Sequence, residues 1–189
     1  MPTPERTSLD AIVTAASDLL EETGLVGVTM QAVADRVGVR PPSLYKRVEN
    51  RERLIQLVAE ATLTEVGRLT ADAEGPADLA NTMRAFGHRR PAAFQLVMTP
   101  SPGTPVAGDP FRVAASASIL RVSRDLVGDT RALEAARTLT AWTAGFITME
   151  LGGSFRLGGD LEDAWRFGLE RITAALASAD DGESAAPRD

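Results

Sequence analysis

The chain has 189 residues, 44% of them apolar, which suffices for one or two units with buried cores and excludes a peptide or a tail. Twenty Lys and Arg against 26 Asp and Glu leave a formal charge of -6, so nucleic acid cannot be coated by bulk positive charge and any contact with it must be local. The absence of cysteine excludes disulfides, thiol catalysis and cysteine-bound metal, and the single His88 argues against a histidine-built site, so neither metal nor cofactor is expected.

No apolar run of about 18 residues is present, and MPTPERTSLD lacks the basic-then-apolar order of a secretory signal, so a cytoplasmic protein without membrane contact is expected. Apolar residues recur at spacings of three and four and seldom alternate with polar ones, which predicts an all-α fold. The first helix is expected over 8–22. Thr7 and Asp10 give it a capping-box-like start, Ile12, Ala16, Leu19 and Leu20 share one face, and Gly24 stops it. Thr29 caps a short second helix with Val33, Ala34 and Val37 on its apolar side, and Gly38 permits the left-handed backbone that ends it. Arg40-Pro41-Pro42 resets the chain for a third helix over 42–47.

Asn50 caps a long fourth helix reaching about Ala73, with Leu54, Val58, Ala61, Val66 and Leu69 along one side, and Gly75-Pro76 breaks the chain after it. Helices over 77–90 and 92–98, parted by Pro91, precede a loop over 99–110 that holds four prolines and two glycines. Helices resume over 111–127 and 130–151. GGSFRLGG then connects to a last helix, capped by Asp160 and ending near Ala179, and the tail 180–189 is expected to be disordered.

Three short helices within about 40 residues, the second and third parted by Gly38-Val39-Arg40, form the pattern of a helix-turn-helix buttressed by a preceding helix. The second helix of such a pair enters a DNA major groove, where short, rigid or hydrogen-bonding side chains suit base edges, and Arg40, Pro41, Ser43, Tyr45 and Lys46 fit. Charge reverses locally. Arg36, Arg40, Lys46, Arg47, Arg51 and Arg53 against Glu49 and Glu52 make 36–53 net +4, leaving -10 on the rest of the chain. A basic edge on an acidic body can neutralise phosphates while disfavouring indiscriminate adsorption. By spacing alone, two amphipathic helices and a turn also suit an ordinary helical bundle, and such a charge run also suits a solvated helix face.

The segment 24–57 resembles the DNA-binding region of the TetR family of bacterial transcription regulators. Thr29, Val33 and Ala34 match the family's T-x-x-x-(V/I)-A, Gly38-Val39 its turn, Ser43-Leu44-Tyr45 its recognition helix, and Val48-x-Asn50-Arg51 the junction into helix four. The resemblance implies that Thr29 and Gln31 lie at the phosphate-facing start of helix two and that Tyr45 and Arg51 contact phosphates. Pro41, Pro42, Ser43 and Lys46 would face bases. Leu44 and Val48, four apart, are read as packing residues. The stretch from Trp142 through Ala144-Gly145-Phe146 to Phe155 also resembles the TetR subgroup named for a Trp-His-Gly signature, with Ala144 where that subgroup has His.

The resemblance implies a helix-turn-helix DNA-binding domain over 1–50 and a helical-bundle regulatory and dimerisation domain over 51–179. It implies a homodimer on a palindromic operator in double-stranded DNA, released by a small-molecule effector, with helix four as the lever. For the dimer surface the last two helices offer Phe146, Leu161, Trp165, Gly168, Leu169, Ile172 and Leu176, stripes that also suit closure of the chain's own core. For an effector pocket the large apolar residues Met83, Phe86, Phe94, Met98, Phe111, Trp142 and Met149 are the candidates, with ordinary core packing as their other reading. His88, Arg89 and Arg90 suit either an anionic ligand or charges complementing a helix end. No Glu-x-x-His pair, G-x-S-x-G, G-x-x-x-x-G-K-(S/T) or Cys-His pair occurs, so no enzyme is expected. The competing reading is a helical interaction module that offers its basic edge to an acidic protein partner.

Overall fold

Side-chain caps and left-handed glycines set several of the helix ends. The computed structural model describes residues 8–178; all its regular elements are helices, and no strand occurs among the described residues. The expected tail over 180–189 lies outside them. Ser8 starts α1 (Leu9–Gly27), its hydroxyl accepting the Ala11 N–H at 3.2 Å; Thr7, expected at the start of this helix, lies outside the described residues. Gly24, with φ 70°, interrupts α1 where the expected stop lay, and one further turn follows it.

Thr29 caps α2 (Met30–Val37), accepting from Ala32 N–H at 3.1 Å, and Gly38 ends it at φ 73°. The next helix, α3 (Pro41–Leu44), starts one residue earlier than expected because Pro41 itself takes the first helical position, and it gives way to a turn over 45–47. Asn50 Oδ1 accepts from Arg53 N–H at 2.7 Å at the start of α4 (Arg51–Thr70), which ends short of Ala73. There follow α5 (Pro76–Arg89), α6 (Pro91–Met98), α7 (Asp109–Ala115) and α8 (Ala117–Val127). The single helix expected over 111–127 is thus two. The break at Ser116 separates α7, which buries nothing, from α8, which buries Val122 and Val127. A 3-10 turn (Asp129–Arg131) leads into α9 (Ala132–Leu151), and Asp160 Oδ1 accepts from Glu162 N–H at 2.7 Å at the head of α10 (Leu161–Ser178).

Two compact units divide the described residues. One comprises the chain up to Val66 together with Arg89–Ala115; the other comprises Gly67–His88 and the chain from Ser116 onward. In the first, Ile12, Leu20, Val33, Leu44, Val48, Leu54, Ile55, Val58 and Phe94 form a core in which α1 packs on α2 and α6, and α2 on α3. Arg51, the first residue of α4, reaches back into the α1–α2 connection. Its Nε donates to the Val28 carbonyl at 2.7 Å and its Nη2 to the Leu25 carbonyl at 2.6 Å. The helix-turn-helix and α4 are thereby joined by charge-assisted bonds as well as apolar packing. Arg90 gives α6 no side-chain cap; instead the Glu21 carboxylate accepts both the Ala92 and Ala93 N–H groups at 3.0 Å, filling donors that the helix leaves open.

In the second unit α8 packs on α9, and α10 on both, around Met83, Phe86, Leu139, Ile147, Trp165 and Leu169. Trp142 stacks on Trp165 with ring centroids 5.0 Å apart, and Phe146 meets Trp165 edge-on at 5.1 Å. Gly168 makes room for this stack, because a Cβ there would lie 2.5 Å from Trp142 Cζ2. A polar cluster borders the rings. Arg84 bonds Glu150 through both carboxylate oxygens at 2.7 and 2.9 Å, bonds Glu162 at 2.6 Å and lies 5.0 Å over the Trp165 ring. His88 Nε2 adds a contact to Glu150 at 3.1 Å, and the Trp165 indole N–H donates to Asn81 at 2.8 Å. Hydrogen bonding from Arg84 holds the Glu150 carboxyl below the ordinary carboxylate value, against an opposing push from burial, and raises the Arg84 guanidinium in turn.

A carboxyl depressed by folding contributes stability above its unfolded value, at roughly pH 4, and that contribution disappears as pH falls. Glu150→Gln is therefore expected to lower unfolding free energy by about 2 kcal/mol at neutral pH. The two proteins should draw together in melting temperature as pH falls below roughly 4, which a pair of pH-dependent melting series would show. Gly168→Ala is expected to displace Trp142 and cost about 1–3 kcal/mol, read as a lower denaturant midpoint with a changed near-ultraviolet tryptophan signal.

Candidate nucleic-acid interface

The candidate surface is built on a short helix held from one side. Gly38 and Val39 donate back to Ala34, closing α2, and the extended Arg40 feeds directly into Pro41. Leu44 is 0% exposed and Val48 1% exposed, and Val48 N–H donates to the Leu44 carbonyl at 2.9 Å, so the expected packing pair anchors the segment. The opposite side is displayed. Pro42, Tyr45 and Lys46 are exposed, Tyr45 by 54%, while Pro41 and Ser43 are half-buried.

The basic residues of 36–53 divide by what they already bind. Arg36 grips Glu22 with two short bonds, which link α2 to α1 and lower the Glu22 carboxyl; Arg53 pairs with Glu60 at 3.2 Å; Arg51 holds the two carbonyls described above. Arg40 and Lys46, on either side of α3, have no partner among the described residues, which leaves them available to an anionic surface. Thr29 Oγ1 is engaged as the α2 cap, and Gln31 Nε2 donates to Asp35 at 2.7 Å on the exposed side of α2. Arg51, expected at a phosphate, is a partly buried clamp. No local signal could have shown this, since its partners lie 23 and 26 residues away along the chain.

The other candidate residues fall apart into distinct groups. Phe94, Met98 and Phe111 belong to the first unit, and Met83, Phe86, Trp142 and Met149 to the second. Met83, Phe86 and Phe94 are core residues, whereas Phe111 and Met149 are exposed. Among the residues expected at a dimer surface, Trp165 and Leu169 are interior to their own chain, and Gly168 is occupied by the Trp142 ring, because the stripe closes the core around the tryptophan pair. Phe146, Leu161, Ile172 and Leu176 are half-buried. Phe167, 62% exposed on α10 beside Arg171, was not legible as a surface residue, since its type and spacing suit a core position equally well. His88, Arg89 and Arg90 face carboxylates: Glu150 for His88, and Glu65 for both arginines.

No helix among the described residues is long and apolar enough to cross a membrane, and no group of three or more His, Asp or Glu capable of holding a metal occurs among them. Comparison with known proteins gives a consistent result. A family model described as "Bacterial regulatory proteins, tetR family" matches residues 12–58. A second, "Tetracyclin repressor-like, C-terminal domain", matches residues 77–172, which is 96 of the 189 residues. The chain is 41% identical over 56 residues to the class A tetracycline repressor protein from transposon 1721 of Escherichia coli, covering 30% of this chain and 26% of that protein. It therefore spans about a quarter of the length of that relative. An uncharacterized HTH-type transcriptional regulator of Bacillus subtilis is 23% identical over 174 residues, covering 87% of this chain and 90% of its own. A protein with unknown function from Rhodococcus sp. RHA1 shares the fold at a TM-score of 0.74 and 18% identity, over 93% of this chain and 97% of that one. With the two family models matching its N-terminal helix-turn-helix and the helical domain after it, the chain belongs to the TetR family of transcriptional regulators.

Proposed function

We propose that this protein is a ligand-responsive repressor, a homodimer that binds a palindromic operator in the cytoplasm and is released by a small-molecule effector. The observation that carries the reading is the two-sided segment around α3, with Leu44 and Val48 buried while Pro42, Tyr45 and Lys46 are displayed. A rigid tip of small, hydrogen-bonding and cationic side chains is what the major groove accommodates. In this reading 1–50 forms the DNA-binding domain and 51–179 the regulatory and dimerisation domain. Pro41, Pro42, Ser43 and Lys46 face base edges, Tyr45 hydrogen-bonds a phosphate, Arg40 neutralises another, and Thr29 and Gln31 approach the backbone at the start of α2. Arg51 acts from behind the surface by fixing α4 to the head.

Repression rather than activation is supported by the likeness to tetracycline repressors in the head. Dimerisation through α9 and α10 is supported by the half-buried Phe146, Leu161, Ile172 and Leu176, by the exposed Phe167, and by the open space around Gly145, where a Cβ would meet nothing within 4 Å. Two linked heads multiply a modest half-site affinity and select two-fold sequences.

Selection of bound duplexes from a random pool with the full chain should enrich a two-fold symmetric sequence; enrichment of none would favour the acidic-partner module instead. On the selected duplex the variants separate by mechanism. Arg40→Ala should reduce the slope of log affinity against log salt by about one. Lys46→Ala should relax discrimination at one base pair by roughly 1–3 kcal/mol. Tyr45→Ala should weaken binding about fivefold without changing the salt slope. Arg51→Ala should lower the unfolding free energy by about 3 kcal/mol and leave the slope intact below its melting transition, whereas a reduced slope at unchanged stability would return Arg51 to the phosphates.

A further inference from the structure

Where it packs on α1 and α3, α2 buries Met30, Val33 and Ala34, and it shows solvent the opposite stripe, Gln31 and Asp35. These two stand four apart and therefore lie one turn above the other. Gln31 Nε2 donates to Asp35 Oδ1 at 2.7 Å. An ionised carboxylate accepts and never donates, so chemistry alone fixes how the amide is turned, with its nitrogen toward Asp35 and its oxygen away from it. The carboxylate itself calls for a reason. Arg36, the adjacent cation, is held by Glu22, and no cation is paired with Asp35 among the described residues. A negative charge without a cation, on a helix that crosses the DNA backbone, repels phosphates. What it acts on is Gln31.

Orientation decides what Gln31 can bind. The phosphate oxygens of DNA accept only, so a phosphate contact needs a donor, and one of the two amide N–H groups of Gln31 is already turned to Asp35. The amide oxygen, with no partner among the described residues, needs a donor instead. In the major groove the donors are the amino groups at adenine N6 and cytosine N4. Adenine alone sets an acceptor, N7, beside that donor, which matches the second N–H of the amide. Gln31 is also the second residue of α2, directly after the capped start by which that helix approaches the duplex. We propose that Gln31 reads an adenine in the major groove of each operator half-site, and that Asp35 is the positioning residue that aims its amide. The proposal rests on the operator-binding reading and, within it, moves Gln31 from the phosphates to a base.

The test uses the full chain, the duplex selected from a random pool, and a panel of duplexes carrying each single base-pair change. Gln31→Ala should lose about tenfold of the preference for A·T at one position per half-site and keep the preferences elsewhere. At that position an adenine analogue with C–H in place of N7, or one lacking the N6 amino group, should weaken the unchanged protein about fivefold and leave Gln31→Ala unaffected. Asp35→Ala should relax the same position about threefold, with no further loss in the double variant. Asp35→Glu, whose carboxylate still reaches back one turn, should restore the preference. Both residues are exposed, so each variant should keep the melting temperature of the unchanged chain.

A Gln31→Ala chain that binds every duplex more weakly by the same factor would place Gln31 on the phosphates and overturns the proposal, as does relaxation at a position that is not A·T. If Asp35→Ala tightens all duplexes equally with base preference intact, Asp35 is a repelling charge only, and its positioning role is overturned. Selection that enriches no two-fold sequence overturns the operator reading and this proposal together. An enriched sequence whose A·T preferences survive Gln31→Ala overturns this proposal alone.

Discussion

The N-terminal surface depends on the burial of two side chains, Leu44 and Val48. A four-residue helix has no stability of its own, because fixing its first turn consumes more conformational entropy than one or two hydrogen bonds return. Fully burying an aliphatic side chain contributes about 1.5–3 kcal/mol, so this pair supplies what the backbone of α3 cannot. Their spacing of four also decides orientation. With 44 and 48 turned inward, 42, 45 and 46 have nowhere to go but outward, and the proline at 41 removes a donor that would otherwise be left open at the start of the helix. The surface is thus a by-product of the core behind it.

Much of this arrangement is legible in the sequence. Thr29, Asn50 and Asp160 mark helix starts, and Gly24 and Gly38 mark breaks, because capping and left-handed φ are decided within three or four residues. The buried roles of Leu44 and Val48 followed from local spacing as well. What escaped was set by partners far along the chain. Arg51 looks like any other cation in a basic run until the carbonyls of Leu25 and Val28 come within its reach. Glu21 reads as a solvated carboxylate on α1, yet it caps a helix 71 residues away. Trp165 and Leu169 belong to a stripe whose periodicity is the same whether it faces a neighbouring subunit or the chain's own interior. Helix period reports that a face is apolar and is silent about what covers it.

Charge is organised differently in the two units. In the second, the Arg84, Glu150, Glu162 and His88 cluster lies against the tryptophan stack, so the polar and aromatic contacts hold the same three helices, α5, α9 and α10. The intrinsic preference of Arg84 for a planar bidentate partner orients Glu150, and its face covers the Trp165 ring. Replacing arginine by lysine would keep the charge and lose both geometries.

In the first unit the ion pairs form a chain rather than a cluster. Glu65 of α4 binds Arg90, Arg90 approaches Glu21 of α1 at 3.6 Å, and Glu21 holds the first N–H groups of α6. One turn and a half earlier on α4, Glu60 accepts from Gly108 N–H at 3.4 Å and from Arg53, and at its first residue Arg51 grips the end of α1. The head is therefore fastened to α4 at one point and, through α1, to α6 at another. The Glu21 carboxylate thus ties α1 to α6, and Arg51 ties the end of α1 to α4, alongside the packing of α1 on α2 and α6. Buried apolar side chains form the core of this unit, and these few charge-assisted bonds add directional links between its helices.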